Sequence, residues 1–230
     1  MSPIETEKRE ERVVRVAAGM VTVEGNLVVP EDAAGVVLFA HGSGSSRLSP
    51  RNRRVARALQ ERGLATLLID LLTADEEAID IETAHLRFDI GLLADRLAGA
   101  TDWLIKQPES RDLRIGYFGA STGAAAALVA AALRPQSIGA VVSRGGRPDL
   151  AGDALPRVQA PTLLIVGGED LAVIDLNREA YERLLCKRRL EIVPGATHLF
   201  EEPGTLETVA RLAADWFLKH LAPSMQEEAP

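Results

Sequence analysis

The chain has 230 residues, 47% of them hydrophobic and 26% charged, with a net charge of −7. That apolar content excludes disorder along most of the chain, and the acidic balance argues against a general nucleic-acid binder, whose footprint is a basic surface. A single cysteine, Cys186, excludes an intramolecular disulfide, so a hydrophobic core must carry the fold.

Residues 1–12 are mostly charged and lack the apolar stretch of an export signal, so they read as a flexible arm. No apolar run is long enough to span a bilayer, and a cytoplasmic, membrane-free protein is expected. Residues 13–17 and 20–29 are β-rich runs joined by Ala18 and Gly19, a candidate hairpin. Residues 35–40 form a continuous apolar run, as a strand covered on both faces requires. Helical spacing over 50–61 ends at Gly63, and a second buried strand follows over 64–69, closing on Asp70. The acidic stretch Asp75, Glu76, Glu77, Asp80 and Glu82 reads as a solvated loop, with 71–85 a candidate mobile flap. A long helix is predicted over 85–105, from apolar residues spaced three or four apart. Strands over 113–118, 138–143, 162–166 and 189–193 then alternate with helices over 122–133, 175–185 and 205–221. Residues 222–230 read as a polar tail.

Strands and helices in alternation predict an α/β fold: one mostly parallel twisted sheet with helices on both faces, preceded by an antiparallel hairpin. No linker divides residues 13–221, so one domain is expected. In such sheets the chemistry collects at the carboxyl ends of the strands. There the chain places the run from His41 to Gly44, then Asp70, Ser121, Arg144, Asp170 and the loop of His198.

Gly119-Ala120-Ser121-Thr122-Gly123 matches G-x-S-x-G between a predicted strand and a predicted helix. In a nucleophile elbow the serine sits on a strained turn, and glycines two residues away remove side chains that would collide. The alternative is a plain turn with Ser121 as helix cap. Asp170 follows the strand 162–166 and is either a triad acid or a cap; Glu169 and Asp175 compete with it. His198 lies in a Pro-Gly loop before the last helix and suits a general base. His41-Gly42-Ser43-Gly44 can supply a backbone N–H to an oxyanion hole, with Ser43 and Thr122 as the donors. The same turn lacks the spacing of a phosphate-binding loop. His41 reads as a brace for this loop or as a substrate contact. Arg144, at a strand end, reads either as half of a structural ion pair or as the anchor for a substrate carboxylate or phosphate. The four histidines lack paired spacing and Cys186 is alone, so no metal is expected, and acyl transfer by a serine would need no organic cofactor.

These motifs resemble the α/β-hydrolase superfamily, which orders its triad as Ser, Asp, His. The compactness resembles its dienelactone hydrolase-like branch, over residues 13–221. The resemblance implies a triad of Ser121, Asp170 and His198 and a serine hydrolase acting on small to medium carboxylic esters. Thioesterase, peptidase or acyltransferase chemistry with the same triad is the alternative, and after it a non-catalytic binding protein. Dienelactone hydrolases proper carry cysteine at the elbow; this chain has Ser121, and Cys186 is expected in a distant helix. Residues 144–160 leave room for one short helix over the site at most. Monomer or homodimer is left open.

Overall fold

A computed structural model describes residues 10–223. The expected terminal arm and tail lie outside the described residues, except for residues 10–12 and 222–223. Among the described residues, eight strands form one sheet in the order β1-β2-β4-β3-β5-β6-β7-β8. The strands β1 (Arg12–Ala18) and β2 (Val21–Val28) form the expected hairpin, and β2 is also antiparallel to β4 (Ala65–Ile69). The others, β3 (Val36–Ala40), β5 (Ile115–Ala120), β6 (Ile138–Arg144), β7 (Thr162–Gly167) and β8 (Arg188–Val193), run parallel to their neighbours.

The unbroken apolar runs are explained by two cores, one on each face. Val36, Leu38 and Ala40 of β3 face one core, and Val37 and Phe39 face the other, following the two-residue period of a strand. Helices α1 (Pro50–Glu61) and α6 (Thr205–Leu221) pack on the second face, where Phe217 lies over Gly116. The first face carries α3 (Ile90–Leu104), α4 (Thr122–Leu133) and α5 (Leu171–Arg183). Helix α4 is alanine-rich and buried on nearly every side, which brings its axis close to the sheet. No described helix is long and apolar enough to cross a membrane.

Several boundaries differ from the expectations. The acidic stretch is helical: α2 (Ala74–Thr83) starts in a capping box in which Thr73 and Glu76 satisfy each other's backbone N–H groups. Glu76 also pairs with Arg96 of α3 at 2.6 Å, and the buried Asp80 carboxylate accepts the N–H groups of Leu86 and Arg87. The long helix begins at Ile90 rather than 85, because Asp89 caps it and a short 3-10 turn precedes it. Helix α5 begins at Leu171, four residues before the predicted start. Cys186 therefore lies in the α5–β8 loop and not in a helix. Residues Pro148–Arg157 form a 3-10 run broken at Gly152. It buries Ala151 and Leu155 against α4 and α5.

Candidate active site

Strand β5 runs straight into α4, and Ser121 is the hinge between them, with φ 51° and ψ −122°. A non-glycine residue in that region is strained and persists only where the surroundings enforce it. Here they do. The Ser121 N–H reaches the Arg144 carbonyl, and its own carbonyl accepts the N–H groups of Ala124 and Arg147. The flanking glycines are required by close approach. A Cβ at Gly119 would stand 2.4 Å from the Ala124 Cα, and one at Gly123 would stand 2.4 Å from the carbonyl oxygens of Ala40 and His41. Both clashes are with backbone, so the turn admits no side chain at either position.

The other two members of the predicted triad meet directly. His198 Nδ1 and Asp170 Oδ2 are 2.6 Å apart. Asp170 occupies the N-cap of α5 but makes no capping bond with its side chain, since the carboxylate is engaged by His198. Its competitors are elsewhere: Glu169 is exposed, and Asp175 pairs with Arg178 on the outer face of α5. The carboxylate can only accept, so His198 donates from Nδ1, which leaves Nε2 as the basic nitrogen. His198 lies against Gly145, the residue after Arg144, and shares with Ser121 a cavity of about 230 Å³. No hydrogen bond joins Ser121 to His198 among the described residues.

The loop of His198 has a support that sequence reasoning missed. Glu202 accepts both the Thr197 N–H at 3.1 Å and the Thr197 hydroxyl at 2.6 Å. The Thr197 hydroxyl holds the Glu202 carboxyl below its ordinary range, so the clamp is ionised at neutral pH. Phe200, with φ 56°, is buried in the core and pins the loop from below. The sequence signal was a hydroxyl five residues before a carboxylate, flanking the candidate base.

Ser43 follows β3 on the other side of the elbow, and its N–H donates to the Thr122 hydroxyl at 3.0 Å. The Thr122 N–H is one of the free donors at the start of α4. His41, expected as a brace or as a substrate contact, has its ring engaged by backbone. It is buried; its Nε2 accepts the Leu71 N–H at 3.1 Å, and its Nδ1 lies 2.9 Å from the Gly42 carbonyl. Both ring nitrogens are thus spent on backbone, which sets the neutral Nδ1–H tautomer. Burial pushes its pKa down, in keeping with that form.

Arg144 is the least expected feature. It is only 7% exposed, yet among the described residues no carboxylate touches it. Its Nη2 lies 3.5 Å from Asn52 Oδ1, and its Nε and Nη1 have no partner. Burial, and then the charge of Arg51, push its pKa down to about 10. Among the described residues, Arg144 therefore makes no ion pair of the kind weighed from the sequence. Asn52 and Arg51, both near the N-terminus of α1, also face this cavity, as the sequence did not suggest. Among the described residues no group of three or more His, Cys, Asp or Glu is arranged to hold a metal.

The family model of the dienelactone hydrolase family matches residues 23–221. A dienelactone hydrolase of known structure from Anabaena variabilis is 65% identical, with a TM-score of 0.91 over 92% of this chain and 98% of that one. Est1E from Butyrivibrio proteoclasticus is 17% identical, with a TM-score of 0.75 over 90% of this chain and 98% of that one; the likeness is of fold. Two proteins from strains of Mycobacterium tuberculosis, each named "Putative phosphoribosyl transferase", are 61% identical over 208 residues. The match takes in 90% of this chain and 46% of theirs, so the chain spans about half the length of these relatives.

Proposed function

Since the chain belongs to the dienelactone hydrolase family, we propose that it is a serine hydrolase that cleaves small to medium carboxylic esters through an acyl-enzyme. The observation that carries this reading is the Asp170–His198 bond at 2.6 Å, with His198 sharing one cavity with a serine held at positive φ. In the proposed reaction, His198 Nε2 takes the Ser121 hydroxyl proton as Oγ attacks the acyl carbon. Asp170 fixes the imidazole and stabilises its cation. The Ser43 and Thr122 amides receive the oxyanion, each contributing about 2.7–4 kcal/mol by analogy with measured donors. The tetrahedral species expels the alcohol, protonated by His198. Water then adds to the acyl carbon as His198 takes its proton, the bond to Ser121 Oγ breaks as His198 returns that proton to Oγ, and the carboxylic acid leaves. No metal or organic cofactor enters these steps.

The name of the Anabaena relative supports ester chemistry, since a lactone is a cyclic carboxylic ester. The name of the mycobacterial relatives refers to proteins more than half of whose length this chain does not span. We assign the transferase activity in that name to the part outside the match. Labelling with a fluorophosphonate, followed by peptide mapping, tests the reading. An adduct on Ser121, lost in Ser121→Ala, is expected. Folded protein without an adduct would favour a non-catalytic member of the fold, and a substrate panel separates esters from thioesters and peptides.

A further inference from the structure

We propose that the active-site cavity recognises a phosphate group on the substrate, bound by Arg144 and Arg51 beside the N-terminus of α1. The phosphate is a handle and is not transferred; the bond broken remains the acyl C–O bond at Ser121. For the position of the scissile ester the inference rests on the serine hydrolase reading, but the anion site stands on separate observations.

An unpaired buried cation is costly, and folds normally pair it with a carboxylate or keep it in water. Arg144 has neither. It is 7% exposed, Nε and Nη1 lack partners, and its polar contact is the amide oxygen of Asn52 at 3.5 Å. Its guanidinium stands 6.0 Å from the centre of the Phe200 ring, which does not neutralise it. Arg51 adds a second guanidinium to the same cavity. Its Nη1 pairs with Glu201 at 3.0 Å, while its Nε has no partner. Among the described residues, no Asp or Glu lines the cavity. A fold that holds this unpaired charge beside the nucleophile is suited to an anionic group on the ligand.

The donors around the cavity favour phosphate over carboxylate. Besides the two guanidiniums, the hydroxyl-bearing residues Ser43, Ser45 and Ser49 line it. Ser49 caps α1, so the positive end of that helix dipole is directed toward the same place. A phosphate monoester brings three acceptor oxygens and close to two negative charges, enough for both arginines. A carboxylate brings two oxygens and one charge.

Two measurements test the proposal. The first is binding of inorganic phosphate to Ser121→Ala protein, followed by thermal unfolding in an otherwise phosphate-free buffer. A rise in Tm that grows with phosphate concentration is expected, and it should disappear when Arg144→Met or Arg51→Met is added. Arg51→Met, on a partly exposed residue, serves if Arg144→Met fails to fold. No rise, or a rise that survives Arg51→Met and any foldable Arg144→Met, overturns the site. The second compares kcat/KM for para-nitrophenyl esters of hexanoate, of adipate, and of butanoate with a terminal phosphate. The phosphorylated ester should lead hexanoate by about tenfold to hundredfold, and the lead should collapse in Arg144→Met and Arg51→Met. Arg211→Met, on the outer side of α6, should preserve it. A lead for adipate, or equal rates on all the esters, overturns the phosphate assignment. Phosphate binding without cleavage of any ester would remove the hydrolase reading and leave the anion site standing.

Discussion

Replacing Arg144 by methionine should stabilise the ligand-free protein. Burial, and then the charge of Arg51, lower the pKa of this side chain from its ordinary range to about 10. At 1.36 kcal/mol for each pKa unit, holding that charge inside the fold costs about 3 kcal/mol. Two favourable contacts offset part of this. The Phe200 ring at 6.0 Å contributes about 0.5–1 kcal/mol, and the Asn52 contact at 3.5 Å is too long to contribute much. Methionine fills a similar length without charge, and imperfect fit costs about 1 kcal/mol. The expected net gain is about 1–1.5 kcal/mol. For a chain of this size each kcal/mol raises Tm by about 2–4 °C. The assay is urea unfolding in phosphate-free buffer, followed by the fluorescence of Trp103 and Trp216, with the slope of the transition checked for constancy. A loss of stability greater than about 1 kcal/mol would refute the reasoning, because it would mean that the fold satisfies Arg144.

The elbow and the buried His41 give two further tests. Gly123→Ala should destabilise by about 1–3 kcal/mol and abolish turnover, since its Cβ meets two backbone carbonyls at 2.4 Å and α4 would have to lift off the sheet; a urea midpoint close to wild type would contradict this. His41 should make stability fall with acidification. Its folded pKa lies below the ordinary 6.5, so below that pH the unfolded chain binds the extra proton. The contribution is fully present above pH 6.5 and is lost as pH falls toward the folded value, at no more than about 1.4 kcal/mol per pH unit. Urea midpoints between pH 7.5 and 5 should decline less steeply in His41→Gln; equal slopes would rule out this histidine as a source.

Much of this architecture was legible because its signals are local. Strands covered on both faces must be apolar at every position, so β3, β4, β5 and β7 stood out as runs. The elbow was legible because its geometry forbids side chains at residues 119 and 123. Asp170 and His198 were found through the ends of β7 and β8. What escaped was either masked or non-local. The capping box of Thr73 and Glu76 is a helix signal in sequence, but the surrounding acidic residues read as solvated chain. Asp175 and its neighbours suggested a helix start, whereas the helix begins at Leu171, where Asp170 is committed to His198 instead of capping. The position of β4 between β2 and β3, and the approach of Arg51 and Asn52 to Arg144, depend on how the sheet is wound. No spacing along the chain encodes that 92-residue separation between Arg144 and Asn52.

Thr122 links the geometry of the site to the proposed chemistry. Its hydroxyl accepts the Ser43 N–H at 3.0 Å, a bond that must be exchanged before this amide can serve a substrate oxygen. A neutral ester carbonyl is an acceptor of about the same strength as that hydroxyl, and exchanging one for the other brings little net gain. An oxyanion is different, because hydrogen bonds to a charged acceptor are about twice as strong as neutral ones. The exchange becomes favourable only as negative charge develops on the substrate oxygen. The Ser43 amide would then bind the transition state better than the ground state, the differential that raises kcat rather than merely lowering KM. The Thr122 N–H, fixed at the start of α4 beside Ser121, needs no such exchange. The two donors would therefore divide the work: one holds the carbonyl from the outset, and the other engages when the charge appears.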